Sequence, residues 1–247
     1  EFLVATGAGA FAWESGATAR ASLGVAALGA NLTDIAAITQ VDGDGIMSDG
    51  TDYKAVPWRA RNLVINGAMQ VGQRGSTAIA AGETKYGGVD RFEITSGATA
   101  AYTITQDTSV PAGKGFLSSL KVDITTGDAS LSAGEHYWVE HKIEGLDAAQ
   151  LMLGSANAKT VTISFWVRSR VTGVHCVSLQ NSAENRSYVF EYTIAGADTW
   201  EFFTETIDLD QTGTWLTTSG IGLRLIWSLG AGSAYHGSAG AWAAADD

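Results

Sequence analysis

The 247-residue chain has a single cysteine, Cys176, and two prolines. One cysteine closes no disulfide within the chain and builds no thiolate zinc site. No apolar run reaches the length of about 18 residues that a spanning helix needs. No basic-then-apolar leader stands at the start, which is Glu1 rather than Met, and the natural chain is expected to begin upstream or to have been processed. Cations are scarce: 15 Lys and Arg against 26 Asp and Glu give a formal charge of −11. Nucleic-acid binders carry a basic patch or stripe, and none is found. The same acidity disfavours anionic lipid, so neither nucleic acid nor membrane insertion is expected. Missing too are the phosphate-binding G-x-x-x-x-G-K-S/T loop, a helix-opening G-x-G-x-x-G, H-E-x-x-H and G-x-S-x-G. No catalytic residue, metal or cofactor is therefore expected.

What the sequence has in quantity is glycine, 30 residues, and apolar side chains, 45% of the total. Short strands joined by Gly, Ser, Thr, Asn and Asp turns produce that balance. The chain divides into unlike parts. Residues 1–60 are rich in Ala and Gly, with few bulky side chains: Phe2, Phe11, Trp13, Tyr53 and Trp58. Phe2–Val4 reads as a strand, Ala17–Leu23 and Asn31–Ile38 as short helices, and Asp42–Tyr53 as turn, strand, turn. A segment so poor in bulk cannot bury enough surface alone and is expected to wind around identical copies as an oligomeric stalk.

Residues 61–247 alternate with period two. Val161, Ile163, Phe165 and Val167 share one face of a strand over 159–169, with Trp166 and Arg168 on the other. Over 135–143, Tyr137, Val139, His141 and Ile143 oppose His136, Trp138, Glu140 and Lys142. Over 187–194, Tyr188, Phe190, Tyr192 and Ile194 form a face; over 220–229, Ile221, Leu223, Leu225, Trp227 and Leu229 do. Weaker strands are read at 62–66, 89–95, 101–105, 117–125, 174–180 and 200–209, and one helix at Leu146–Leu153. Roughly ten strands with turns between them specify an all-β antiparallel sandwich, jelly-roll-like, preceded by the stalk.

Candidate chemistry is sparse. His136 and His141 are five residues apart, so a regular strand points them to opposite faces and they cannot share a metal. Asp42, Asp44, Asp49 and Asp52 form a calcium-like loop, but Tyr53 stands where the closing bidentate Glu belongs, so solvated turns are expected. Cys176, in phase with Val174, reads as a small core residue. Trp138 and Trp166 lie on polar strand faces beside Glu140, Lys142 and Arg168. Exposed indoles stack on sugar rings, and charged neighbours bind hydroxyls, so these five are the candidate glycan-binding residues; the competing reading packs each Trp under a loop or a second subunit. The polar loop Asn181–Arg186 offers further donors.

Several segments resemble a known family. Thr18–Val25 (T-A-R-A-S-L-G-V) is similar to the T-A-R-x-x-L-G-L/V segment of phage and prophage tail-fibre proteins, and Met47–Tyr53 to the fibre turn that often follows. Asn62–Gly75 resembles the N-x-L/I/V-x-N-G-x-M-x-x-x-Q-R-G opening of a phage-associated β-sandwich, and Tyr86–Phe92 its Y-x-x-D-R-F/W companion with one extra residue. Ile143–Ala148, Val161–Arg168 and Asn185–Tyr188 are also similar to it. The resemblance implies a carbohydrate-binding-module-like sandwich on a virion fibre, usually trimeric and without a catalytic residue. Asn66, Gly67, Gln73, Arg74, Asp90 and Arg91 match its motif and read as a turn and a buried polar bracket. The implied partners are sister copies, other virion proteins held through residues 1–60, and host-surface polysaccharide. A virion decoration, collar or adaptor without a ligand would have the same composition. Family members continue past Trp242 into a further strand; here the chain stops at Asp247, so the sandwich of 61–247 is expected to lack its closing strand or to borrow it.

Overall fold

The computed structural model describes the backbone of strands within residues 2–7, 10–14, 44–48 and 53–57, and residues 62–246 in full. Contacts divide the chain into two compact units, Glu1–Arg61 and Asn62–Asp247. The described residues of the first form two antiparallel strand pairs. β1 (Phe2–Gly7) pairs with β2 (Ala10–Glu14), and β3 (Asp44–Ser48) with β4 (Tyr53–Pro57). The helices expected at 17–23 and 31–38, and the carboxylates of Asp42, Asp49 and Asp52, lie outside the described residues.

The second unit is an all-β sandwich of open sheets. Its strands are β5 (Thr77–Ile79), β6 (Thr84–Gly87), β7 (Val89–Thr95), β8 (Ala101–Asp107), β9 (Ser119–Thr126) and β10 (His136–Glu144). After a single helical turn, α1 (Gly145–Ala148), come β11 (Thr160–Val167), β12 (Gly173–Gln180), β13 (Ser187–Ile194), β14 (Glu201–Asp208), β15 (Ile221–Ala231) and β16 (Trp242–Ala243). One layer is a seven-stranded sheet in the order β16-β13-β12-β15-β10-β7-β6. The other consists of two smaller sheets, β11-β14 and β5-β8-β9.

Each small sheet covers part of one face of the large one, and each contact has its own core. Under β11-β14, Val177, Leu179, Tyr192, Ile194, Leu223 and Leu225 meet Val161, Ile163, Phe165 and Phe203. Under β5-β8-β9, Phe92, Ile94, Tyr137 and Val139 meet Ile79, Tyr102 and Ile104. Trp227 packs against both clusters. The alternating apolar positions that define the strands in sequence are the same side chains that fill these cores, because strand periodicity delivers every second residue to one face.

Departures from the sequence reading have local causes. Residues 62–66 are bends and turn rather than strand, because Asn66 takes a left-handed φ of 60°. The helix read over Leu146–Leu153 is one α turn followed by a 3₁₀ turn at Ala149–Leu151, ending on left-handed Met152 (φ 57°). Leu229, assigned to the core face of β15, is 45% exposed. The register shifts there, Tyr137 pairing with Gly230 but Trp138 with Ser228, so Leu229 is the extra residue of a bulge. Cys176 is half-buried on the face opposite the core, whereas its neighbour Val177 is fully buried. Strand phase, set by Val177 and Leu179, decides this against the cysteine's apolar character.

The Asn66–Asp90 bracket holds the start of the sandwich. The Asn66 side chain donates to Val71 O (2.8 Å) and Asp90 O (3.0 Å) and accepts from Val71 N (3.0 Å). The Asp90 carboxylate accepts from Gln73 N (3.3 Å) and Arg74 (3.4 Å). The bracket is less buried than the motif suggests: Arg74 is 56% exposed, and Arg91 turns outward to Glu144 at 3.2 Å. Gly72 is required here, since a Cβ would stand 2.4 Å from Gly88 O.

His141 and His136 do point to opposite faces. His141 is fully buried against Phe92 (4.9 Å between ring centroids) and accepts a hydrogen bond from Ile65 N at 3.3 Å. Burial first, and then the Arg91 charge, lower its pKa from 6.5 to about 4. Between those two values the unfolded chain takes up a proton that the fold refuses. Stability is therefore full above the higher value and falls as pH drops toward the lower one, by up to about 3 kcal/mol for this group. Urea midpoints should fall between about pH 7 and pH 4.5, and the fall should be shallower in His141→Gln.

Candidate functional site

Within the second unit, no other sheet of the described residues covers the face of the seven-stranded sheet that points away from both cores. Strand pairing lays its residues in cross-strand rows. One row runs Tyr86, Glu93, Glu140, Ile226, Ser178, Val189. The next, toward one end of the strands, runs Lys142, Arg224, Gln180, Ser187. On the other side, Trp138 stands opposite Ser228, and Cys176 opposite Glu191.

These rows place charge inside a sheet surface. Glu140 is 1% exposed and accepts from Arg224 Nε at 2.5 Å. The Arg224 Nη1 also binds Glu184, from the β12–β13 turn. Lys142 lies 2.7 Å from Glu93 and 3.6 Å from Glu140, with its ammonium 5.8 Å from the Tyr86 ring centroid. Glu93, Lys142, Glu140, Arg224 and Glu184 thus form one continuous chain of ion pairs. Burial opposes the charge on Lys142 and on Arg224, but their carboxylate partners outweigh it, and both pKa values are raised. Pairing of this kind is what allows charges to remain in a desolvated place.

The same face carries a groove of about 380 Å³. Its floor includes Cys176, Ser178, Gln180, Ile226 and Ser228, with Trp138 and Glu191 at the sides. The wall is the segment after β15, which contributes Tyr235, His236 and Gly237. Gly232 lets that segment turn away, because a Cβ there would meet Ser132 O at 2.0 Å. The segment is pinned further on. Gly240 N donates to Val189 O (2.8 Å), Trp242 Nε1 to Asp208 O (2.9 Å), and Gln180 Nε2 to Asp246 (3.0 Å). At one end the indole of Trp138 stacks on His136 (3.8 Å, 13°), and Tyr235 stands edge-on to both rings. Burial lowers the His136 pKa despite Asp246 and Glu184 nearby, so its ring is neutral near neutral pH. The Trp138 Nε1 is buried without a hydrogen-bond partner. Burial also raises the Cys176 thiol, with Glu191 adding to the effect, so this cysteine is a poor nucleophile.

The five residues singled out in sequence fall at two places. Trp138, Glu140 and Lys142 share the grooved face of β10. Trp166 and Arg168 belong to β11 and its end, in the other layer. There Trp166 packs on Phe202 (5.3 Å) with Lys114 over its ring (5.4 Å), and Arg168 donates to Ser109 and Asp198. Trp138 packs beneath the segment bearing Tyr235, as the competing reading held, yet it still lines the groove. The loop Asn181–Arg186 spends most of its donors on itself. Asn181 is fully buried and bonds Asn185, Arg186 and Thr214, and Arg186 grips Asp210 at 2.7 and 2.9 Å. Sequence reasoning missed Arg224, Glu93, Glu184, Tyr235 and Asp246. Arg224 and Glu93 had a signal, each being a charge on the polar phase of an apolar strand. Among the described residues no group of three His, Cys, Asp or Glu lies close enough to hold a metal ion, and no helix is long and apolar enough to cross a membrane.

No family model matches this chain, and no curated protein matches it. Among solved structures it is similar to the enzymatically active domain of tailspike protein 4 of bacteriophage CBA120, at 14% identity and a TM-score of 0.36, over 70% of this chain and 21% of that one. It is also similar to a CBM4 carbohydrate-binding module, at 14% identity and a TM-score of 0.37, over 68% of this chain and 88% of that one. The chain thus spans 21% of the length of the tailspike structure. Likeness at this distance is a resemblance between all-β domains and carries no function across.

Proposed function

We propose that the chain is a non-catalytic adhesion subunit of a virion fibre or spike, which holds a host-surface saccharide in the groove on the open face of its seven-stranded sheet. The observation that carries this reading is the groove itself: a concave, sheet-floored site of about 380 Å³ with stacked Trp138 at one end and the polar side chains of Ser178, Ser228 and Gln180 along its floor. Saccharide sites pair apolar ring faces with a few fixed polar groups, and this groove has both. The tail-fibre-like segments Thr18–Val25 and Asn62–Gly75 supply the particle context. In this account residues 1–60 trimerise and dock onto the particle, and weak single sites gain strength through copy number.

A glycan array probed with the intact chain should give saccharide binding. Trp138→Ala should weaken it roughly thirtyfold, the loss of about 2 kcal/mol expected of a Trp anchor. Trp166→Ala should leave it unchanged. Absence of any glycan binding by the multivalent chain would favour the ligand-free decoration or adaptor role. Loss of viscosity in a host polysaccharide on incubation would show hydrolysis instead. Glu135 and Glu140 give no support to that outcome: Glu135 bonds Ser132 N and the Tyr137 hydroxyl, away from the groove, and Glu140 is neutralised by Arg224.

A further inference from the structure

The charges around the groove are unequal, and their imbalance bears on which saccharide fits. The carboxylates are Glu93, Glu140 and Glu184 along the ion-pair chain, Glu191 at the side, and Asp246 against Gln180. The cations are Lys142 and Arg224 alone among the described residues of that chain, and both are already engaged. Arg224 is held by Glu140 and Glu184, and Lys142 by Glu93 and Glu140. Burial lowers the pKa of His136 beside Trp138 and so works against its serving as a cation. Among the described residues around the groove, no guanidinium or ammonium is left to receive a ligand carboxylate, and three carboxylates stand in excess.

Asp246 reports the same field from within. Burial raises its pKa, and the Glu184 carboxylate raises it further; Gln180 and Arg224 only partly compensate. Asp246 stands against Gln180, which lines the groove, and Glu184 binds Arg224, the cross-strand neighbour of Gln180. A like-charged pair in a partly desolvated recess is relieved by a cation brought between its members. An ammonium group on a sugar ring is a cation of suitable size.

Resting on the saccharide reading of this groove, we infer that it selects by charge: it takes saccharides that carry free amino groups, ranks their N-acetylated counterparts lower, and rejects uronic-acid saccharides. Glu184, Glu191 and Asp246 set this specificity, whereas Trp138 supplies affinity without regard to charge.

The test is titration calorimetry of the intact chain with β1,4-linked glucosamine, N-acetylglucosamine and galacturonate oligomers of matched length, at moderate and high salt. The glucosamine oligomer should bind roughly tenfold more tightly than the N-acetylated one, a difference of about 1.4 kcal/mol. The galacturonate oligomer should bind more weakly than either. Asp246→Asn and Glu191→Gln should each shrink the preference. Asp123→Asn, on exposed strand β9 of the opposite layer, changes the net charge equally and should leave the preference intact. That control separates the groove from the general attraction of an acidic protein for cations. Equal affinity for the aminated and acetylated oligomers, an equal effect of Asp123→Asn, or tightest binding of the galacturonate oligomer would each overturn the inference while leaving a saccharide groove standing. If no oligomer binds and the array is also blank, the groove reading falls, and this inference with it.

Discussion

Glu140→Ala should cost the sandwich about 3–5 kcal/mol, the loss seen when one member of a buried ion pair is removed. The carboxylate is 1% exposed and Arg224 only 9%. Without Glu140, the guanidinium retains Glu184, but that partner is 53% exposed and its attraction is screened by water. Lys142 loses its second carboxylate as well. The cost therefore comes from leaving Arg224 desolvated, not from a contact that strongly favours the fold. The double replacement Glu140→Leu with Arg224→Met should recover most of the loss, because matched apolar pairs commonly equal or exceed buried ion pairs. Urea denaturation of the single and double variants measures both effects. If Glu140→Ala shifts the midpoint no more than a surface substitution does, the desolvated ion chain is wrong.

Trp227→Ala should be the other severe substitution, costing about 3 kcal/mol or more through lost transfer energy and the cavity left behind. Its ring lies 6.4 Å from Phe92 and 5.9 Å from Phe165, so it touches the core under each of the small sheets. Truncation removes the larger of the two side chains, Trp227 and Val64, that pack against both clusters. Unfolding should then lose cooperativity, visible as a reduced dependence on denaturant concentration in addition to the lower midpoint. Leu179→Ala, buried within one cluster alone, should lower the midpoint with that dependence unchanged.

The architecture was readable because alternation is a local signal. Val161 to Val167, Tyr137 to Ile143 and Tyr188 to Ile194 each announce a strand and its buried face within a few residues. The errors come where local signals give way. A bulge opposite Tyr137 and Trp138 turned Leu229 outward, and no residue type marked it. Strands β5, β6 and β16 are two to four residues long and show too few alternations to be seen. Cys176 was placed by its chemistry when its phase with Val177 pointed the other way.

The site was less legible, for a related reason. Alternation says that Trp138 and Trp166 both leave the core, but not that their strands lie in different layers. Layer assignment depends on pairings between segments far apart in sequence, such as Val177 with Trp227 and Trp138 with Ser228. Tyr235 and Asp246 reach the groove only because the segment after β15 folds back across the sheet, and nothing near them in sequence announces that path.

The central claim is that the open face of the seven-stranded sheet is where a ligand sits. A crystal structure of the chain soaked with its best-binding oligosaccharide tests this most directly. A sugar ring against Trp138 and Tyr235, with hydroxyls on Ser178 or Gln180, is the expected result. A ring stacked on Trp166 beside Arg168, with the groove empty, would contradict it.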